Sequence, residues 1–167
     1  MDIDVQALPE GITILTGGRG AGKTRACQRL VEQAQLRGWS IAGVLCPAVF
    51  ENGAKTAINM LDLSTGRLQH LARHENRQTG FEVTDHWNFD EAVLEEGNDI
   101  LGAAGKCDLL VVDELGPLEF SRGQGWVKAF DTLARGEFKR AVVVIRPELM
   151  DKACTFWPSA GIINLDS

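Results

Sequence analysis

A chain of 167 residues, 44% hydrophobic and 24% charged, is enough for one globular domain with a sizeable core and too short for two comfortable ones. A net charge of −6 argues against an extended nucleic-acid or anionic-membrane surface. The cysteines at 27, 46, 107 and 154 lie far apart with no C-x-x-C pair, which fits neither a zinc site nor a disulfide framework.

Residues 1–10 lack the basic-then-apolar profile of a secretory leader, and no apolar run reaches membrane-spanning length. A cytoplasmic protein with no membrane contact is the expectation, with Cys27, Cys46 and Cys107 as reduced core thiols. Gly11 to Thr16 then reads as a buried strand. Gly17-Gly18-Arg19-Gly20-Ala21-Gly22-Lys23-Thr24 follows it in the pattern G-x-x-x-x-G-K-T, a phosphate-binding loop. Glycines without a Cβ let backbone N–H groups close around phosphate oxygens. Thr24 to Arg37 reads as a helix whose positive N-terminus faces the same anion. Ala26, Leu30 and Ala34, with Cys27 and Val31 beside them, give it a core face, and Gly38 is the expected stop. The nucleotide-binding candidates are therefore Gly17, Gly18, Arg19, Gly20, Ala21, Gly22, Lys23, Thr24 and Arg25. Lys23 suits the β/γ-phosphates, and the Thr24 hydroxyl suits Mg²⁺.

Ser40 to Leu45 predicts a second buried strand. Beyond Val49 the texture changes to turns, at Glu51-Asn52-Gly53-Ala54 and Ser64-Thr65-Gly66-Arg67, separated by strand-forming residues. A small antiparallel meander, extending to roughly Val83, is the expectation. His70, Arg73, His74 and Arg77 cluster at its end, as a solvated polar turn or as a flap touching nucleotide or partner. Asn88 is the expected cap of the next helix, with Glu91 closing a capping box. That helix runs to about Ala104, with Gly97 as an interruption and Trp87 as a packing staple.

Leu109 to Val112 is a short apolar run ending in Asp113 and Glu114, the pattern of a buried parallel strand with functional groups at its C-terminal edge. Trp126, Phe130 and Leu133 mark the apolar stripe of a following helix. Ala141 to Ile145 is another buried strand, ending at Arg146 and stopped by Pro147. A short helical piece and a last strand, Ile162 to Leu165, complete a parallel α/β sheet. Asp113 is the candidate to hold Mg²⁺ opposite Thr24, as in a Walker B strand. Neighbouring side chains of an extended strand point differently. Glu114 therefore faces the γ-phosphate side, where it can orient or deprotonate a water.

Taken together, Gly17 to Thr24 and Asp113-Glu114-Leu115-Gly116-Pro117-Leu118-Glu119 resemble the small P-loop nucleoside-triphosphatase family. Gly43 through Gly66 and Asn88-Phe89-Asp90 are similar as well, so the resemblance covers nearly the whole chain. It implies a three-layer P-loop fold of the RecA-like variant, residues 1–167 as a single domain, with an inserted antiparallel hairpin. It also implies slow Mg²⁺-dependent hydrolysis of ATP, GTP and other nucleoside triphosphates. Arg146 and the histidine–arginine cluster match no part of that pattern. In a RecA-like order, however, the strand before Arg146 neighbours that of Asp113, which makes Arg146 a candidate γ-phosphate sensor or a partner of a surface carboxylate.

Two other functions fit the same motifs. A small-molecule kinase shares both loops but needs an acceptor pocket and an arginine-bearing lid. A slow switch or assembly factor would use hydrolysis to time the release of a protein partner. No N-K-x-D guanine-reading motif occurs, so loose base selectivity is expected.

Overall fold

The computed structural model describes residues 2–79 and 82–167, with side chains described outside 76–86. After a 3-10 turn at Val5–Ala7 come β1 (Gly11–Thr16), α1 (Lys23–Leu36), β2 (Ile41–Leu45), β3 (Ala48–Glu51) and β4 (Ala54–Asp62). β5 (Leu68–Thr79), β6 (Glu82–Phe89), α2 (Glu91–Ala103) and β7 (Cys107–Leu115) follow. The chain continues through α3 (Pro117–Arg122), α4 (Lys128–Arg135), β8 (Phe138–Ile145), α5 (Met150–Phe156) and β9 (Gly161–Asn164).

The described strands form one sheet in the order β6-β5-β4-β2-β7-β8-β1-β9, with β3 paired to β4. β2, β7, β8, β1 and β9 are mutually parallel, and β3 to β6 are the antiparallel part. β8 lies between β7 and β1, the RecA-like arrangement, so Asp113, Arg146 and the loop after β1 emerge from three adjacent strands at one edge.

Both faces of the central strands are covered, which is why their sequences are continuous apolar runs rather than alternating ones. Ile14, Leu110, Val112 and Val143 point to the side carrying Leu101 of α2 and Leu133 of α4. Leu15, Leu109, Val111, Val142 and Val144 point to the opposite side, against Cys27, Leu30 and Val31 of α1. Each of these buried aliphatic side chains contributes about 1.5–3 kcal/mol.

Several expectations are corrected here. The meander reaches Phe89, beyond the predicted end near Val83. His70, Arg73 and His74 therefore stand on β5 and not in a turn, while the side chain of Arg77 lies outside the described set. Asn88 belongs to β6, where it pairs with Arg73. The cap of α2 is Asp90, which accepts from the N–H groups of Ala92 at 3.0 Å and Val93 at 3.2 Å. Trp87, by contrast, packs at the edge of the core as expected, paired across the strands with His74 and with the two rings 5.0 Å apart. Gly97 does not interrupt α2, which is continuous from Glu91 to Ala103; it makes room for Met60 and Trp126. Among the described residues no helix is long and apolar enough to cross a membrane.

Candidate nucleotide site

The loop between β1 and α1 takes its shape from two glycines above all. Gly22 caps α1 at φ +90°, in the left-handed region that disfavours other residues. A Cβ on Gly17 would lie 2.9 Å from the Ala21 Cβ and 3.3 Å from that of Leu165, so the turn closes only around a glycine. Lys23 opens α1 and folds back over the loop, its Nζ donating to the carbonyls of Gly17 at 2.7 Å and Gly18 at 2.8 Å. The N–H of Gly18 donates to Asp166 Oδ2 at 2.7 Å. Arg19 and Gly20 are exposed at the loop tip, and Arg25 is exposed on the first turn of α1.

Asp113 is buried at the end of β7. The N–H of Cys46, just beyond β2, donates to its Oδ2 at 3.1 Å, and the Thr24 hydroxyl is a second hydrogen-bond partner. Burial raises the Asp113 pKa to about 6, against those two hydrogen bonds and with the Glu114 charge adding to the rise. A divalent cation fits this pair. A carboxylate held against its desolvation penalty and a hydroxyl beside it are two hard oxygen donors, and phosphate and water oxygens complete such sites.

The Asp113–Glu114 peptide is cis. Glu114 is half-buried, and burial raises its pKa while Arg146, Lys23 and Lys55 oppose the rise. Arg146 follows β8 and brings its Nε to 2.8 Å from Glu114 Oε1, an ion pair whose N–H is not aimed along the contact. Glu148 lies farther from the same nitrogen, at 3.7 Å. The carboxylate that Arg146 pairs with most closely is thus Glu114 itself.

A model of the NTPase family matches residues 12–153. The chain belongs to this NTPase family. Nucleoside-triphosphatase THEP1 of Methanopyrus kandleri is 30% identical over 106 residues, covering 64% of this chain and 58% of that protein. THEP1 of Saccharolobus solfataricus is 29% identical over 105 residues, covering 63% and 59%. These alignments span under two thirds of either relative. THEP1 of Pyrococcus abyssi is 24% identical over 140 residues, covering 83% and 75%. The solution structure of a human cancer-related nucleoside triphosphatase superposes with a TM-score of 0.67 at 19% identity, covering 92% of this chain and 88% of that one, a likeness of fold.

In this NTPase, Glu119, the last residue of the D-E-L-G-P-L-E segment, has both carboxylate oxygens engaged by backbone donors. Its Oε1 accepts from the Gly116 N–H at 2.7 Å and its Oε2 from the Trp126 N–H at 3.0 Å. It caps α3 and pins the start of the following turn, which accounts for the carboxylate without any catalytic role. Two polar groups at the site were not legible beforehand. Lys55 of β4 lies with its Nζ 5.2 Å from the Trp87 ring centroid, and burial raises the pKa values of both Cys46 and Glu114 while the Lys55 charge opposes the rise. A lysine beside an Asn-Gly turn carries no sequence signal that would separate it from a solvated hairpin residue. Asp166 follows the last strand, 148 residues from the glycine it binds.

Proposed function

We propose that residues 1–167 act as one domain that hydrolyses nucleoside triphosphates, ATP and GTP among them, to diphosphate and phosphate, with Mg²⁺ as the metal. The observation that carries this reading is the placement of Glu114 directly after the buried Asp113, paired with Arg146 and within the field of Lys23. Lys23 is the group that exchanges the Gly17 and Gly18 carbonyls for β/γ-phosphate oxygens. Thr24 and Asp113 would hold the metal, which supplies charge neutralisation between the β- and γ-phosphates. Glu114 orients a water in line with the γ-phosphorus and accepts its proton as the bond to the β-phosphate oxygen breaks. Arg146 holds that carboxylate and offers its remaining N–H groups to charge developing on the γ-phosphoryl oxygens. The lack of an N-K-x-D motif supports low base selectivity.

The deciding experiment is phosphate release from ATP and GTP with Mg²⁺ and no second substrate. Wild type should turn over, and Glu114→Gln should lose roughly 10²–10⁴-fold in kcat while its nucleotide affinity stays near wild type. Silence until a small-molecule acceptor is added would instead identify a kinase.

A further inference from the structure

The phosphate loop is held from a direction that its own motif does not specify. β9 is an edge strand paired in parallel with β1, and their register ends at Thr16 and Asn164. The Leu165 N–H then donates to the Thr16 carbonyl at 2.9 Å. Next the chain turns tightly around Asn164, whose Oδ1 accepts from the Asp166 N–H at 2.9 Å and whose carbonyl accepts from the Ser167 hydroxyl at 2.7 Å. This turn delivers the Asp166 carboxylate to the Gly18 N–H at 2.7 Å. Gly18 is therefore held on both sides, because its carbonyl accepts from Lys23 Nζ at 2.8 Å and from the Ala21 N–H at 3.1 Å.

We propose that Asp166 is a positioning residue for the phosphate loop. A carboxylate accepting from a backbone N–H makes a short, charge-assisted bond, stronger than one between neutral groups. It fixes Gly18, and with it the course of the loop, so that the amides of Gly20 to Thr24 stay in place for the anion. Preorganisation of this kind lowers the ordering cost when the anion arrives. The carboxylate also brings a negative charge close to the phosphate position. Acceptor and charge therefore act in opposite directions on triphosphate binding, and the two can be separated. The proposal rests on the nucleoside-triphosphate reading only for its effect on binding, since the brace itself is a property of the protein alone.

Asp166→Ala removes acceptor and charge together, whereas Asp166→Asn keeps an oxygen acceptor and removes the charge. Isothermal titration with Mg-ATP and steady-state kinetics should show Kd and KM raised roughly tenfold in Asp166→Ala. A kcat changed less than KM and a melting temperature close to wild type would accompany that rise. Asp166→Asn should bind Mg-ATP at least as tightly as wild type. Amide hydrogen exchange without nucleotide should accelerate from Gly18 to Thr24 in Asp166→Ala and remain slow in Asp166→Asn. Unchanged exchange in Asp166→Ala, or equal binding defects in the two variants, would overturn the proposal. If wild type itself binds no nucleotide, the functional reading fails while the exchange measurement still decides the brace.

Discussion

Glu114 is a carboxylate under opposing influences. Burial favours its neutral form, while the Arg146 guanidinium favours the ionised form that the proposed role as general base requires. Arg146→Ala removes the opposing charge, so the Glu114 pKa rises further and the acidic limb of the kcat/KM profile moves to higher pH. If Arg146 acts as proposed, the same variant should lose about 10²-fold in kcat with a much smaller rise in KM, because a charge offered to the developing negative charge acts mainly in the transition state. An unmoved acidic limb would show that Arg146 does not set the charge of Glu114, and a moved limb with unchanged kcat would leave it as an ion-pair partner only. Lys23→Ala makes a complementary case. Its Nζ binds two loop carbonyls and no core group, so phosphate release should vanish and triphosphate binding weaken while the melting temperature changes little. Normal turnover in that variant would refute the site as a whole. The residues of the loop and of Asp113-Glu114 were legible because each motif is contiguous. Asp166 and Lys55 were not, because only the sheet brings them to the same edge.

At the scale of elements, strand pairing decided several local choices against sequence preference. Asn88 and Asp90 are both good cap residues, and Glu91 completes a box with the first. Yet Asn88 is committed to the β5–β6 ladder, and the Asp90 N–H donates to the Leu71 carbonyl at 2.8 Å, so the helix starts after the ladder ends. The two long strands of the meander were read short because their polar, charged sequence lacks an apolar alternation. Gly97 shows a tertiary reason behind a residue that local propensity disfavours. A Cβ there would meet Met60 Sδ and Trp126 Nε1 at 2.7 Å each. The indole is also anchored, its Nε1 donating to the Leu94 carbonyl at 3.0 Å. Gly97→Ala gains about 1 kcal/mol of helix propensity but overpacks this contact, which costs about 1–3 kcal/mol. Met60 can shift more readily than the tethered Trp126, so the expected net is a loss of about 1 kcal/mol. Urea unfolding monitored by tryptophan fluorescence should show it as a lower midpoint at unchanged slope. A higher midpoint would mean that the interface has slack.

For the molecule as a whole, the strand order places an ionisable group at the heart of the sheet, and stability should record its cost. The Asp113 pKa is about 6 in the folded chain, against 3.8 for an ordinary aspartate. Between those values the native state holds more protons than the unfolded one, so stability falls as pH rises through this window. The penalty is absent below the unfolded value and complete above the folded one. A gap of about two pH units corresponds to about 3 kcal/mol, as an order of magnitude. Asp113→Asn keeps an oxygen to accept from the Cys46 N–H and removes the buried charge. It also relieves Glu114, whose own charge is disfavoured by burial. In nucleotide-free protein above pH 7 the variant should therefore melt several degrees higher than wild type, since about 1 kcal/mol shifts a domain of this size by about 2–4 °C. The difference should shrink toward zero near pH 4. Mg-ATP should reverse the order above pH 7, because a ligand that binds the native state stabilises in proportion to its affinity and the variant has lost the metal carboxylate. Thermal melts across pH 4–8, with and without Mg-ATP, test both halves. A variant no more stable than wild type at pH 8 without nucleotide would show that the protein relaxes around Asp113 and carries no such penalty. Equal stabilisation of both proteins by Mg-ATP would instead remove Asp113 from the metal site.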